Sequence, residues 1–174
     1  MPAISQPVAL RPEQPDDEPF LFDLYASTRQ DELDAWGWPP AARQAFLALQ
    51  FRASQGRHQE YPDAAFHIIT LGGRNAGRLI LHRTPNEWHL VDIALLPACR
   101  NAGVGTALLR GICADAAAAG LPLRLHVLQE NRARRLYARL GFVPIGQADP
   151  HVTLEWRPAD PQANPPASRC DSSR

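Results

Sequence analysis

The feature that most limits the possible folds is a glycine-containing loop, residues 100–106, between a predicted strand and a predicted helix. The strand covers residues 88–96 and stops at Pro97, and the alanine-rich helix ends near Gly120. A second strand, residues 123–128, follows directly. A strand, a helix and a strand in this order predict a right-handed crossover with parallel pairing of the two strands. The sequence therefore predicts a mixed α/β layer built around this unit.

The rest of the chain surrounds this crossover with further strands and helices. Gly72 and Gly73 predict a hairpin turn between two strands, and Gly141 closes the last helix. The other predicted strands cover residues 8–11, 65–71, 77–83, 142–145 and 152–156, and the other helices cover residues 18–28, 41–56 and 132–140. We expect one α/β (α+β) domain over residues 1–157, with a mixed central sheet of about six to seven strands and about four helices. A disordered tail rich in Pro and Ser is expected over residues 158–174.

The charge balance argues against two classes of function. The 174 residues contain 18 basic residues, all of them arginine, and 18 acidic ones, so the net charge is zero. Binding to nucleic acids or to membrane surfaces needs a large positive field, and we expect neither partner.

No apolar run reaches the roughly 20 residues of a membrane helix, and the N-terminus lacks a signal segment, so we expect a cytoplasmic protein. The spacing of the three cysteines and six histidines argues against a disulfide framework or a bound metal.

The loop has the physical properties of a pyrophosphate site. Backbone N–H groups in the first turn of a helix have no intrahelical partners, and together with the helix dipole they attract phosphate. Gly103 and Gly105 let an oxygen-rich ligand approach the main chain, and Arg100 adds a guanidinium suited to phosphate. The alternative is that the glycines only fit a turn or pack on the sheet. The candidate cofactor-binding residues of the loop are Arg100, Asn101, Ala102, Gly103, Val104, Gly105 and Thr106.

Two motifs resemble those of the GNAT superfamily of N-acetyltransferases. The first, residues 97–109, contains Arg-x-x-Gly-x-Gly after a strand that ends in Leu-Leu-Pro. The second, residues 131–142, begins with Asn131 and contains Tyr137 and Gly141-Phe142. The resemblance extends over about residues 8–156 and implies acetyl-CoA as the acyl donor. It also implies direct attack by a primary amine of a small molecule or a peptide, and the protein could be a monomer or a homodimer.

The resemblance further implies how the cofactor would lie. Backbone amides of residues 100–106 would hold the pyrophosphate, and strand 88–96 would splay from strand 123–128. Main-chain groups of Ile93 and Leu95 would pair with the pantetheine arm, much like an added strand. Asn131 would contact the cofactor at the start of the last helix, and Arg134 could reach its phosphates.

Tyr137 is the candidate general acid, because the resemblance places it beside the sulfur, where it would protonate the leaving thiolate. Its spacing supports a second interpretation. Together with Ala133, Leu136 and Leu140 it forms a helical stripe, which is also typical of core residues. A buried phenol would still need a hydrogen-bonding partner.

Two residues of strand 88–96 are candidates for the base that deprotonates the amine. Asp92 lies in an apolar run, where a carboxylate is costly unless it is used or paired. His89 has a suitable ordinary pKa. They lie three positions apart, so in a regular strand they would point to opposite faces and at most one would face the acceptor. Asp92 could instead be a structural partner of loop amides or of an arginine, and His89 could be a surface residue. His126, on the neighbouring strand, is a weaker candidate for the base.

The acceptor side is indicated by the segment that follows the first helix, which in the resembling family forms one wall of the acceptor groove. Carboxylates and indoles there would suit a cationic amine, although they could equally form a polar connection between helices with two packing tryptophans. These residues are Asp31, Glu32, Asp34, Trp36 and Trp38. Two other functions are compatible with the motifs, namely a non-catalytic acyl-CoA-binding or sensor module and a transferase of a longer acyl group.

Overall fold

Seven strands and four α-helices make up the part of the chain that the computed structural model describes, residues 6–56 and 60–159 without the side chains of Asp31 and Glu32. The strands are β1 (Val8–Pro12), β2 (Ala65–Leu71), β3 (Arg74–Arg83), β4 (Trp88–Leu95), β5 (Leu123–Leu128), β6 (Val143–Ala148) and β7 (His151–Trp156). The helices are α1 (Glu18–Ala35), α2 (Pro40–Ser54), α3 (Val104–Ala118) and α4 (Arg134–Arg139). From residue 160 onward the predicted tail lies outside the described residues.

All seven strands belong to one sheet, in the order β1-β2-β3-β4-β5-β7-β6. Neighbouring strands are antiparallel except β4 and β5, which are parallel and are joined by α3. The predicted mixed sheet and the predicted parallel crossover are therefore confirmed.

Helices cover both faces of this sheet. On one face Leu109 of α3 belongs to the larger apolar cluster, to which α4 also contributes. On the other face Leu21 of α1 and Phe51 of α2 pack with Ile68 of β2. The adjacent residue Ile69 joins the first cluster, because successive side chains of a strand point to opposite faces. The sheet is therefore the middle of three layers.

The first helix is longer than the sequence pattern predicts. It continues past residue 28 to Ala35, and Leu33 within the extension is buried. Burial of this side chain stabilises the extra turns. The helix ends just before Gly37, whose φ of 65° is the left-handed conformation that glycine adopts at little cost.

Strand β4 leaves β5 after a short paired stretch. The last paired residues are Leu90 and Leu125, and in the described residues no later pair joins the two strands. Main-chain groups at the end of β4 therefore face a gap rather than a neighbouring strand. This divergence agrees with the predicted splay.

A bulge lies in β4 where the divergence begins. Leu90 is opposite Leu81 of β3, and Asp92 is opposite Ile80, so Val91 is an extra residue without an opposite partner. An extra residue bends a strand and locally disrupts its pairing. The bulge therefore marks the place where the sheet opens.

Gly77 allows β3 and β4 to approach closely, and its replacement tests this packing. A Cβ at Gly77 would overlap the carbonyl oxygen of Ala94 and lie 2.8 Å from Leu95 Cδ2. We expect Gly77→Ala to lower the free energy of unfolding by about 1–3 kcal/mol in urea denaturation, as overpacking does. Gly146→Ala is the control, since its Cβ would meet Thr153 only at 3.9 Å. Equal stability of the two variants would contradict the prediction.

Candidate active site

A groove of about 550 Å³ opens where β4 and β5 diverge, beside α1. Its other lining includes Tyr25 of α1 and Tyr61, which precedes β2. The predicted site residues that line it are His89, Asp92, Ile93, Asn131 and Tyr137, together with the weaker candidate His126. The fold therefore brings the candidate general acid and both candidate bases into one cavity.

His89 and Asp92 face the same side of the sheet, so the prediction that they point to opposite faces is wrong. His89 is opposite His82 and Asp92 is opposite Ile80, and these two β3 positions share a face. The extra residue Val91 shifts the alternation of β4 by one position. Both candidate bases can therefore face the acceptor.

The apolar residues of β4 show the same shift. Before the bulge, Trp88 and Leu90 pack in the larger apolar cluster, whereas after it Ile93 and Leu95 do. The core-facing residues of β4 are thus even-numbered before the bulge and odd-numbered after it. This independent pattern supports the bulge as the cause.

Asp92 is bonded to Arg78, a β3 residue that the sequence patterns did not single out. Arg78 donates from Nε and Nη2 to Asp92 Oδ2, at 3.0 and 2.6 Å. Both side chains are mostly buried, 13% exposed for Arg78 and 22% for Asp92. Asp92 therefore has the arginine partner of the structural interpretation, and it also lines the groove. The sequence signal that could have identified Arg78 is its position as a cation directly before the apolar run Leu79-Ile80-Leu81.

Tyr137 lies in α4 and is only 6% exposed. Its ring packs edge-on against Phe142, with the ring centroids 5.6 Å apart. Burial, together with the negative charge of Asp92, raises the pKa of Tyr137 to about 12. The phenol therefore keeps its proton at neutral pH. Because Tyr137 belongs to the core and also lines the groove, its two predicted interpretations are compatible.

His89 and His126 form a pair across β4 and β5. His89 Nε2 lies 3.1 Å from His126 Nδ1, which is a hydrogen-bonding distance. Burial and the neighbouring His126 lower the pKa of His89 below 6.5. His89 is therefore neutral at pH 7 and can accept a proton.

Backbone N–H groups form the predicted cradle at the start of α3. Among the described residues, none of the N–H groups from Asn101 to Thr106 donates a hydrogen bond, and the first intrahelical bond runs from Ala107 N to Gly103 O at 3.0 Å. Asn101 and Gly103 have φ of 59° and 84°. Left-handed residues next to helical ones create a concave arrangement of N–H groups that binds anions. The geometry fits a pyrophosphate.

The space around Gly105 also bears on whether the cradle fits a ligand. A Cβ there would meet Leu136 Cδ2 at 3.7 Å and Leu95 Cδ1 at 3.9 Å, which are ordinary contacts. Packing within the chain therefore does not require glycine at this helical position, where alanine would be more stable. A ligand that approaches the main chain would explain why glycine occupies position 105.

The Arg100 guanidinium lies beside the end of β4. Its Nε donates to the carbonyl oxygen of Leu95 at 2.8 Å, and its Nη2 is 3.5 Å from Ser27 Oγ of α1. In this structure the cradle is therefore formed by main-chain groups, and the charge of Arg100 stands at its edge.

The main chain of β4 is oriented as the pantetheine prediction requires. Leu96 N, just after β4, donates to the carbonyl oxygen of Ala76 in β3 at 2.8 Å. Successive residues of a strand direct their main-chain polar groups to alternate edges. Leu95 and Ile93 therefore direct theirs toward the gap between β4 and β5.

Asn131 and Arg134 hold the start of α4. Asn131 Oδ1 accepts a hydrogen bond from Ala133 N at 2.8 Å, and Arg134 Nη1 donates to Gln129 O at 2.7 Å. Asn131 lines the groove, whereas Arg134 lines a separate surface cavity with Arg132 and other residues. Asn131 therefore lines the same groove as the candidate acid, and Arg134 does not line it.

The predicted acceptor wall is arranged differently. Asp34 is ion-paired with Arg43 at 2.6 Å, and the rings of Trp36 and Trp38 lie 5.1 Å apart and contact Phe46. Asp34, Trp36 and Trp38 are not among the residues that line the groove, which supports their interpretation as a connection between helices. The side chains of Asp31 and Glu32 lie outside the described residues. Tyr25 and Tyr61 line the groove instead.

Over residues 6–56 and 60–159, no helix is long and apolar enough to cross a membrane. Within the same residues, no three His, Cys, Asp or Glu side chains are grouped as metal ligands.

Comparisons with known proteins agree on one family. The sequence pattern of the Acetyltransferase (GNAT) family matches residues 20–142. No curated protein matches the sequence significantly. A PaiA N-acetyltransferase from Thermoplasma acidophilum, solved in complex with coenzyme A, is 17% identical with a TM-score of 0.66, over 87% of this chain and 99% of that chain.

Two further solved structures have the same fold. A histone acetyltransferase HPA2 and related acetyltransferase from Corynebacterium glutamicum is 24% identical with a TM-score of 0.61, over 89% of this chain and 98% of that chain. An acetyltransferase from Thermus thermophilus is 20% identical with a TM-score of 0.63, over 86% and 96%. Because the family pattern also covers more than half of the sequence, the chain belongs to the GNAT family of acetyltransferases, which use acetyl-CoA as acyl donor.

Proposed function

We propose that this protein transfers an acetyl group from acetyl-CoA to a primary amine of a small molecule or a peptide, by direct attack in a ternary complex. The observation that carries the proposal is the single groove in which Tyr137, Asp92 and His89 meet at the gap between β4 and β5. When bound, acetyl-CoA supplies an activated acetyl group and a thiolate leaving group.

The chain offers several groups that would hold this cofactor. The N–H groups from Asn101 to Thr106 would bind the pyrophosphate, and the main chain of Ile93 and Leu95 would pair with the pantetheine amides. Arg100 has a flexible side chain at the edge of the cradle, where its charge suits a phosphate. Asn131 and Arg134, at the start of α4, are the other two predicted cofactor-binding residues.

Tyr137 would act as the general acid. Its phenol is neutral across the physiological pH range because burial and Asp92 raise its pKa to about 12. A leaving thiolate would take the phenolic proton during or after expulsion. The packing of the ring against Phe142 would fix the position of the oxygen.

His89 would act as the general base. A protonated amine cannot attack a carbonyl carbon, so one proton must leave the nitrogen first. His89 is neutral at pH 7 and lies in the same groove as Tyr137. Asp92, held by Arg78, would instead place a negative charge near the incoming ammonium and orient it.

The dependence of turnover on pH tests the role of His89. Because its pKa is lowered below 6.5, His89 stays unprotonated through neutral pH, and kcat should fall only as the pH drops below that value. His89→Gln should lower kcat by roughly 100-fold, the size of a general-base contribution, and remove this acid limb. The measurement is kcat against pH at saturating acetyl-CoA. An acid limb that persists unchanged in His89→Gln would assign the base elsewhere.

The activity itself is tested by release of free thiol from acetyl-CoA with a panel of primary amines that includes amino acids, aryl-alkyl amines, polyamines and short peptides. We expect thiol release with at least one amine and an equal amount of acetylated product. Thermal stabilisation by CoA without turnover would indicate a binding module instead. Turnover only with longer acyl-CoA donors would indicate a different acyltransferase.

A further inference from the structure

The contact between His89 and His126 is the feature of the groove that the proposed chemistry does not yet use. The two rings come from different strands, and His89 Nε2 is 3.1 Å from His126 Nδ1. Their ring planes are inclined at 71° with the centroids 5.0 Å apart. The contact is therefore an edge-on hydrogen bond between imidazoles rather than a stack. His126 is exposed, whereas His89 is half-buried.

The identity of the two nitrogens limits the tautomers. A hydrogen bond between neutral rings needs one N–H donor and one unprotonated acceptor. The Nε2–H form is the more common tautomer of a neutral histidine in water. If both rings adopt it, His89 Nε2 donates to His126 Nδ1 without forcing either ring into the less common form. In that arrangement Nδ1 of His89 is the unprotonated nitrogen.

We infer that His126 is a positioning residue for the general base: it accepts the Nε2–H of His89 and thereby fixes Nδ1 of His89 as the nitrogen that takes the proton from the amine. This inference rests on the proposed acetyl transfer. The step forms one N–H bond at His89 Nδ1 and breaks one at the ammonium nitrogen. The hydrogen bond to His126 holds the orientation of the His89 ring while Nδ1 takes the proton, and the proton leaves Nδ1 to water after the product departs.

The surroundings of the pair support this role. Tyr61 packs against His89 with the ring centroids 6.0 Å apart and against His82 at 5.7 Å, which holds the base from the side of β3. In the described residues no hydrogen bond reaches His89 Nδ1. The charged and titratable groups that face the pair or share its groove are His82 and Arg78 of β3, Glu87 just before β4, Asp92 of β4, Arg124 of β5, Tyr137 of α4, His151 of β7, Arg29 and Tyr25 of α1, and Glu60 and Tyr61 before β2.

The charges nearest the pair partly cancel. Arg124 forms ion pairs with Glu87 and with Glu155, so its charge is compensated beside His126. Asp92 is bonded to Arg78. Among the described residues, the hydrogen bond that His89 donates to His126 is therefore the closest polar contact of the His89 side chain.

Two amide substitutions at position 126 separate this role from mere packing. Asparagine places its Oδ1 near the position of the histidine Nδ1, whereas glutamine places its oxygen near Nε2. We expect His126→Leu and His126→Gln to lower kcat at least about tenfold, as loss of the residue that orients a catalytic histidine does. His126→Asn should recover most of the loss, and the KM for acetyl-CoA should stay constant in all three. His151→Leu, the same change at another groove histidine, is the control.

A spectroscopic measurement tests the hydrogen bond independently of turnover. In protein labelled with ¹⁵N histidine, the His89 Nε2 proton should be protected from exchange with water in the wild type and in His126→Asn. It should exchange rapidly in His126→Leu. Wild-type kcat in His126→Leu, or an unprotonated Nε2 of His89 in the wild type, would overturn the inference. Absence of turnover with every amine would overturn the proposed function, while the exchange measurement would still decide whether His126 accepts this bond.

Discussion

Replacing Tyr137 with phenylalanine should slow turnover by about 10²- to 10³-fold, within the range of general acid catalysis, while acetyl-CoA affinity stays nearly unchanged. Phenylalanine keeps the ring and its contact with Phe142, so the core is preserved. Only the proton donor is removed from the groove. The measurements are kcat by thiol release and the dissociation constant for CoA by calorimetry.

The matched control is Tyr25→Phe, which removes a phenolic oxygen from the α1 wall of the same groove. Tyr25 packs against Phe51 and lies under Arg29, and no part of the proposed proton transfer uses it. We expect little change in kcat for this variant. Equal losses of turnover and of CoA affinity in Tyr137→Phe would instead assign Tyr137 to structure.

Gly105→Ala should weaken CoA binding by at least about tenfold, a loss of roughly 1.4 kcal/mol of binding free energy. We expect the added methyl group to narrow the approach of a phosphate oxygen to the N–H groups of the cradle. The fold itself accepts this group, because the nearest contacts are at 3.7 and 3.9 Å. Alanine is a better helix former than glycine, so the melting temperature should not fall.

Gly111→Ala, in the middle of the same helix, is the control for this prediction. A Cβ at Gly111 would meet nothing within 4 Å. We therefore expect a gain in stability from the better helix propensity and no change in CoA affinity. If Gly105→Ala binds CoA as tightly as Gly111→Ala does, the cradle is not the pyrophosphate site.

The regular parts of the fold could be predicted because local signals agreed with the tertiary structure. Turn glycines separated the predicted strands, and the strand–loop–helix–strand order identified the parallel pair. The length of α1 was underestimated. Its extension is stabilised by the burial of Leu33, which the local pattern does not show.

The candidate site could be predicted only in part. Tyr137, Asp92 and His89 were identified as residue types suited to the chemistry, and the structure brings them into one groove. Their common orientation depends on a bulge that sequence spacing does not reveal. The ion pair of Asp92 with Arg78 and the contact of His89 with His126 join separate strands, so no spacing along the chain indicates them.

The extra residue in β4 makes the length of this strand as important as its composition. The groove receives the odd-numbered His89 before Val91 and the even-numbered Asp92 after it. Deleting one residue between them would rotate one segment by half a period and exchange its core and groove side chains. Substitutions can therefore change the groove-facing side chains of β4 one at a time, whereas a change of chain length within these few residues would replace all the groove-facing side chains of one segment together.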